Sequence, residues 1–224
     1  MLLKGYDKKG RRVLVFQMKQ IDPTKHKYDD ICKCYFMIME ILIDQLDQCS
    51  VTGFISGSNV EGATMAHVGF FSNPVQSKKQ VTVLQDAYPI RPKAMHMMNL
   101  PSIMETVLNL FKSFMNDKMK ARMQIGDFST LQADAGIDVL PEELGGTNGK
   151  LQDHMGNSIV SMMSSICSLI WLLSDYTQGL INDKKDWLKA QCEFKSDETK
   201  RPGKPKDYSE IFGMEGSFRK LNVD

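Results

Sequence analysis

The chain opens on an apolar, β-rich run, RVLVFQMKQ (Arg12 to Gln20), closed by the turn pair Asp22-Pro23, and this predicts a first strand. Asp29 or Asp30 then supplies a cap for a helix reaching about Cys49. Ile31, Tyr35, Ile38, Leu42 and Leu46 recur at spacings of three and four, one helical face. Phe36, Met37 and Ile43 make the opposite side apolar as well, so the helix is expected to pack on two sides. Val51 to Val60 predicts a second strand, thin in large residues and broken by Gly53 and Gly57, which mark close approach by a backbone or a ligand.

Gln76 to Tyr88 predicts a second helix, stopped by Pro89, and Ala94 to Asn99 a third, Met-rich strand. Pro101 follows at a first helical turn, where its missing N–H costs little. The helix it opens carries Ile103, Val107, Leu110 and Phe114 on one stripe and Met104, Leu108, Phe111 and Met115 on the next. Two stripes exceed what one core-facing surface needs. Taken alone, they describe a helix buried on all sides. Met123 to Gly126 predicts a fourth strand, and strands alternating with helices imply an α/β fold with a mixed or parallel sheet.

Beyond Gly149 the pattern changes. Met155 to Ser174 has no formal charge and nears the length of a membrane span, but Gly156-Asn157-Ser158 and repeated Ser lower its hydrophobicity. An extra helix, a peripheral anchor and a gene-model artefact all fit it; as a prediction, it lies against the domain or a membrane surface and does not span. Asp197 to Lys206, rich in Lys and Pro, reads as an irregular tail. The expected division is a domain over 1–150, a helical segment with the apolar run over 151–192, and a tail over 193–224.

Composition narrows the classes. A net charge of +1 with 25% charged residues argues against disorder throughout and against nonspecific nucleic-acid binding. Five cysteines without a CxxC pair suit a reducing compartment, and no basic-then-apolar leader opens the chain, so the cytoplasm is the expected address. Methionine is the outlier at 16 residues, fitting either core filler or a plastic pocket for an apolar guest. GxSxG, HExxH, GxGxxG and the phosphate loop ending in Lys-Ser/Thr are all missing, and His26, His67, His96 and His154 do not cluster with metal-ligand spacing. No enzyme, metal or cofactor is therefore expected. His96, inside the apolar third strand, is expected to bond a neighbouring backbone. Glu40, alone among apolar residues, is either outward-facing or cation-paired, or a neutral donor to a guest if it faces a cavity. Arg91 and Lys93 share a side of an extended lead-in, and Lys118 and Arg122 share a face of a helical turn. As charges alone they read as a solvated face.

A likeness changes the weighting. AYPIRPKAMHMMNLPSIMETVLNLFKSFMNDKMKARMQIG (Ala87 to Gly126), with GRRVLVF, VTGFISGSNVEG and LPEELGG in order, resembles the CRAL-TRIO family, domains that enclose one lipid and carry it between membranes. RPGKPK and FGMEGSFRKL look like tails of that family. The resemblance, nearest to the tocopherol and retinaldehyde carriers, implies a CRAL-TRIO-type mixed sheet floor, covering helices and a hydrophobic cavity. It makes residues 102–115, with Asn99-Leu100-Pro101 before them and Phe111-Lys112-Ser113-Phe114 near their end, a gate over the cavity. Lipid contacts are then expected at Phe36, Glu40, Phe54, Met65, Val83 and Ile90, and at Met95, Met97, Ile103, Met104, Val107, Leu108 and Phe111. Arg91, Lys93, Lys118 and Arg122 match the family's phosphoinositide-contacting cations. Asn59 stands where relatives commonly carry Asp, and Met155 to Ser174 departs from the charged helices usual there. The helical domain that the family places ahead of this one is expected to be missing, which would favour self-association. The implied function is noncatalytic binding and transfer of a hydrophobic molecule with peripheral docking on phosphoinositide membranes. The alternative is a phosphoinositide sensor or scaffold without cargo exchange.

Overall fold

In a computed structural model of the chain, residues 1–45, 47–151 and 175–193 are described. Four parallel strands form a sheet in chain order: β1 (Arg12–Gln17), β2 (Phe54–Asn59), β3 (Pro92–Met98) and β4 (Met123–Gly126). Residues 1–3 run antiparallel beside β1, with Leu2 bridging Leu14 and Leu3 N–H donating to Val13 O at 2.9 Å. The four strands themselves are all parallel rather than mixed, and this one bridge is the antiparallel contact beside them.

The connections are helical, as parallel strands require. Between β1 and β2 run α1 (Tyr28–Gln45) and α2 (Asp47–Thr52). The strand expected from Val51 starts later because α2 extends to Thr52 and Gly53 breaks it at φ +81. A Cβ on Gly53 would sit 2.3 Å from Arg91 O, so glycine is required where Phe54 N–H meets that carbonyl. Next come α3 (Met65–Phe71), α4 (Pro74–Thr82) and a π-helical turn (Val83–Ala87) in place of one helix to Tyr88. Between β3 and β4 lie a 3-10 turn (Ser102–Met104), α5 (Glu105–Phe114) and α6 (Asp117–Ala121). After β4 come α7 (Phe128–Ala135), α8 (Asp175–Asp183) and α9 (Lys185–Glu193). The Met155–Ser174 run and the 197–206 tail, with the two tail motifs, lie outside the described residues.

Strand alternation divides the core. Val13, Val15, Ile55, Ala94 and Met98 face α7 and the 139–144 segment, packing on Leu131, Ala135, Leu140 and Leu144. Leu14, Phe54, Met95, Met97 and Met123 face the other way, toward α1, α4 and α5. Leu180 and Ile181 of α8 join the α1 side, where Ile38 and Leu42 pack.

A polar network ties α7 to the first face. Arg11 is held by the carboxylates of Asp7 and Asp134, with its Nη2 donating to Asp134 Oδ1 at 2.7 Å. His96 lies 1% exposed in β3 and its Nε2 is 3.3 Å from Asp134 Oδ2, so its partner is a carboxylate rather than the expected backbone group. Its Nδ1 is buried without a partner. Burial lowers the affinity of His96 for a proton, Asp134 opposes this in part, and the net shift is downward. Burial raises the Asp134 carboxyl, but Arg11, Lys9 and His96 together outweigh it and hold the group low.

The sign follows from linkage. His96 resists a proton that the unfolded chain takes up near its ordinary value of 6.5, so folding stability falls as pH drops through that value. The Asp134 contribution persists to lower pH and is lost only as pH falls through its depressed value. Stability should therefore fall between pH 7.5 and 5.5, and His96→Gln should flatten that fall. Urea midpoints at the two pH values check this; an equal fall in both proteins removes His96 as the cause.

Candidate functional site

Under α5 the second sheet face opens into a cavity of ≈ 300 Å³. Its floor is Leu14 and Phe16 of β1, Ser56 and Ser58 of β2, Met95 and Met97 of β3, and Met123 of β4. One parity of each strand supplies it, because side chains two apart share a face. The α1 wall is Tyr28, Ile31, Cys32, Tyr35 and Ile38, a helical stripe, and Gln80 and Leu84 continue it. Met104, Val107, Leu108, Phe111 and Met115 form the roof.

The walls are mainly apolar, and among the described residues no lining side chain is Asp, Glu, Lys, Arg or His. Tyr28 OH donates to Gln80 Oε1 at 2.6 Å, and its ring packs edge-on against Phe70 and Phe71. Burial pushes the Cys32 thiol up to about 11 and raises both the Tyr28 and Tyr35 phenols, so all three stay protonated at neutral pH. These are hydrogen-bonding groups without charge. They can orient a polar end, and they offer no ionised nucleophile.

Of the residues expected at a lipid site, Met95, Met97, Met104, Val107, Leu108 and Phe111 line this cavity. The rest lie elsewhere. Phe36 stacks on Tyr88 with centroids 5.9 Å apart, and Glu40, one turn on, accepts from Tyr88 OH at 2.8 Å. That pair occupies the side of α1 turned from the cavity, since Tyr35 and Ile31 hold the cavity side. Glu40 thus meets a phenol rather than a guest or a cation. Phe54 and Ile90 are buried in the cluster around Ile38 and Leu42, covered by α1. Val83 is half-buried at the start of the π turn. Met65, first in α3, is 69% exposed and Ile103, in the 3-10 turn, 38%, so both sit on the outside of the lid region.

Several lining positions escaped the sequence reading. Leu14, Phe16, Ser56 and Ser58 share the parity of Met95 and Met97 once the strands are paired, and that pairing was the usable signal. Gln17, 6% exposed at the end of β1, borders the cavity but has the strand parity of Val13 and Val15, which face α7, and its Oε1 is buried without a hydrogen-bond partner.

The four cations fall at one edge of the sheet. Arg91 immediately precedes β3 and is exposed, Lys93 is half-buried within it, Lys118 is exposed on α6, and Arg122 closes α6 before β4. Because β3 and β4 are parallel neighbours, with Met95 N–H donating to Arg122 O at 2.9 Å, the two pairs enter the sheet side by side. Among the described residues none of the four is in an ion pair, whereas nearby Lys120 reaches Asp117 at 3.6 Å. Among the described residues no helix is long and apolar enough to cross a membrane.

Comparison with known proteins agrees with this architecture. The chain is 28% identical over 161 residues to the mouse (Mus musculus) protein named alpha-tocopherol transfer protein-like, covering 71% of this chain and 46% of that protein. It is 25% identical over 148 residues to rat (Rattus norvegicus) clavesin-1, covering 65% of this chain and 41% of the relative. The chain thus spans less than half the length of these relatives. The crystal structure of Sfh5 superposes with a TM-score of 0.50 at 15% identity, over 84% of this chain and 64% of that one, a likeness of fold. The profile of the CRAL/TRIO domain matches residues 1–146, and the chain belongs to that family.

Proposed function

We propose that this chain binds one hydrophobic small molecule beneath α5 and transfers it between membranes, without catalysing a reaction. The observation that carries the reading is the apolar cavity of ≈ 300 Å³ with helix α5 as its roof. A guest there contacts Met95 and Met97 from below and Met104, Leu108 and Phe111 from above. Methionine suits such a wall, because its unbranched, polarisable chain adapts to irregular shapes. α5 is amphipathic enough to work as a lid: Val107 and Leu108 are buried, whereas Glu105, Thr106 and Asn109 are exposed. Swinging it outward would present Met104, Leu108 and Phe111 to a bilayer and open the exit. The relative named for tocopherol transfer is consistent with such cargo.

Docking is proposed to use phosphoinositide headgroups at Arg91, Lys93, Lys118 and Arg122. Arginine grips phosphate oxygens through two N–H groups at once, and lysine adds compact charge. The cytoplasmic face of a membrane is the expected place of action.

Native mass spectrometry of the purified chain tests the reading. The expected spectrum shows the chain with one noncovalently bound lipid of defined mass, released on activation and recovered by solvent extraction. A chain that carries no lipid from cells, and takes up none from lipid vesicles, is not a carrier. If that same chain still binds phosphoinositide vesicles, it is a headgroup sensor instead.

A further inference from the structure

We propose that Ser56 and Ser58 anchor an oxygen function carried midway along the cargo. The guest is then an uncharged lipid with apolar arms on both sides of a hydroxyl or carbonyl group. This deepens, and rests on, the reading of the cavity as a lipid site. Both serines lie on β2 and both line the cavity. Ser56 stands beside Leu14 of β1 and Met95 of β3, and Ser58 beside Phe16 and Met97. All four neighbours line the same floor, so the serines have the parity of the cavity face. Both are half-buried and keep surface that a guest can meet. Among the described residues neither hydroxyl has a hydrogen-bond partner, and the β2 backbone is committed to its ladders with β1 and β3. A hydroxyl covered by hydrocarbon alone loses water and gains nothing, whereas an oxygen on the guest restores the bond.

Their place in the sheet sets where that oxygen lies. Leu14, Ser56, Met95 and Met123 form one row straight across the four strands, with neighbours about 4.8 Å apart. The hydroxyls therefore sit inside the floor, flanked by apolar side chains, and Val107, Leu108 and Phe111 close the roof above. A guest lying across the strands over Ser56 places carbon on Leu14 at one side and on Met95 and Met123 at the other. A polar group at the tip of such a guest would miss the serines and meet Leu14 or Met123 instead. Among the described residues no lining side chain is Lys, Arg or His, so an ionised carboxylate or phosphate would be desolvated without a countercharge. Tyr28 already donates to Gln80, so that pair is engaged within the wall. A serine hydroxyl both donates and accepts, so secondary alcohols, ketones and esters all qualify.

The test is displacement of Nile red from the lipid-stripped full chain by dodecan-6-ol and dodecan-1-ol, isomers that differ only in where the hydroxyl sits. The internal alcohol should displace the dye at about tenfold lower concentration than the terminal one. In the double variant Ser56→Ala with Ser58→Ala, which keeps the strand and removes both hydroxyls, the two isomers should displace it alike. Thermal unfolding confirms that the variant folds, and each single replacement is the second choice, expected to lose part of the preference. If none of the three folds, the isomer ratio of the parent decides. Equal displacement by both isomers in the parent, or a preference for the terminal alcohol, overturns the anchor and leaves the lipid carrier standing. A double variant that keeps the full preference does the same, because shape alone then selects the isomer. If neither the dye nor either alcohol binds, the carrier reading fails and this inference with it.

Discussion

Met95→Trp is expected to abolish uptake of a hydrophobic ligand while leaving a folded protein. Met95 lies mid-strand in β3 between Ser56 of β2 and Met123 of β4, and it lines the cavity floor. It packs with Val81, Met115 and Met119, so it faces the underside of the α5–α6 region rather than solvent. An indole there has one direction in which to grow, into the cavity. In a fully packed core, overpacking of this kind costs about 1–3 kcal/mol. Here empty volume receives the ring, so the loss should sit at the low end of that range. The ligand meets the opposite situation, since the ring takes floor area that any guest beneath Leu108 and Phe111 must cover. Affinity for a dye such as Nile red should fall by more than about tenfold, with a melting temperature within a few degrees of the parent. If Met95→Trp binds the dye as well as the parent does, the guest does not use this floor.

The two levels of the molecule were not equally legible in the sequence. Four strands and the long helices show themselves through apolar runs and spacings of three and four, because one buried face is enough to write that pattern. Among the elements missed are α3 and α7, both short. Thr64 and His67 form the box that starts α3, with Thr64 N–H donating to His67 Nδ1 at 3.1 Å, but histidine is not the Glu or Gln that marks a capping box in sequence. The site was legible where a strand alternates, at Met95 and Met97. It was not legible on α1, which is apolar on two sides. Periodicity identifies both faces, and only the packing of Tyr88 against Phe36 and Glu40 decides which one turns from the cavity. The orphaned oxygen of Gln17 is likewise a tertiary fact, since a glutamine ending a strand usually meets water.

Charge reversal at Lys118 and Arg122 is expected to abolish binding to phosphoinositide vesicles while cargo binding in solution persists. Lys118 is exposed on α6 and Arg122 closes that helix, so both are reachable by a headgroup from the same side of the sheet edge. Arg91 and Lys93 come to that edge on the neighbouring strand. None of the four is in an ion pair among the described residues, so their field is not cancelled locally by a partner carboxylate. Each cation near an anionic surface contributes about 1 kcal/mol, so the set moves affinity by several kcal/mol. Replacing two of them by Glu removes two attractions and adds two repulsions, enough to eliminate cosedimentation at micromolar protein. Neither residue lines the cavity, and among the described residues no lining side chain is charged, so the substitutions leave its chemistry untouched and dye binding should match the parent. The parent's vesicle binding should weaken with added salt, because exposed charges are screened within about 8 Å at physiological ionic strength. A double variant that still pellets with phosphoinositide vesicles, or parental binding indifferent to salt, would show that the protein meets membranes through another surface. The exposed Met65 and Ile103 beside the lid are the next residues to test.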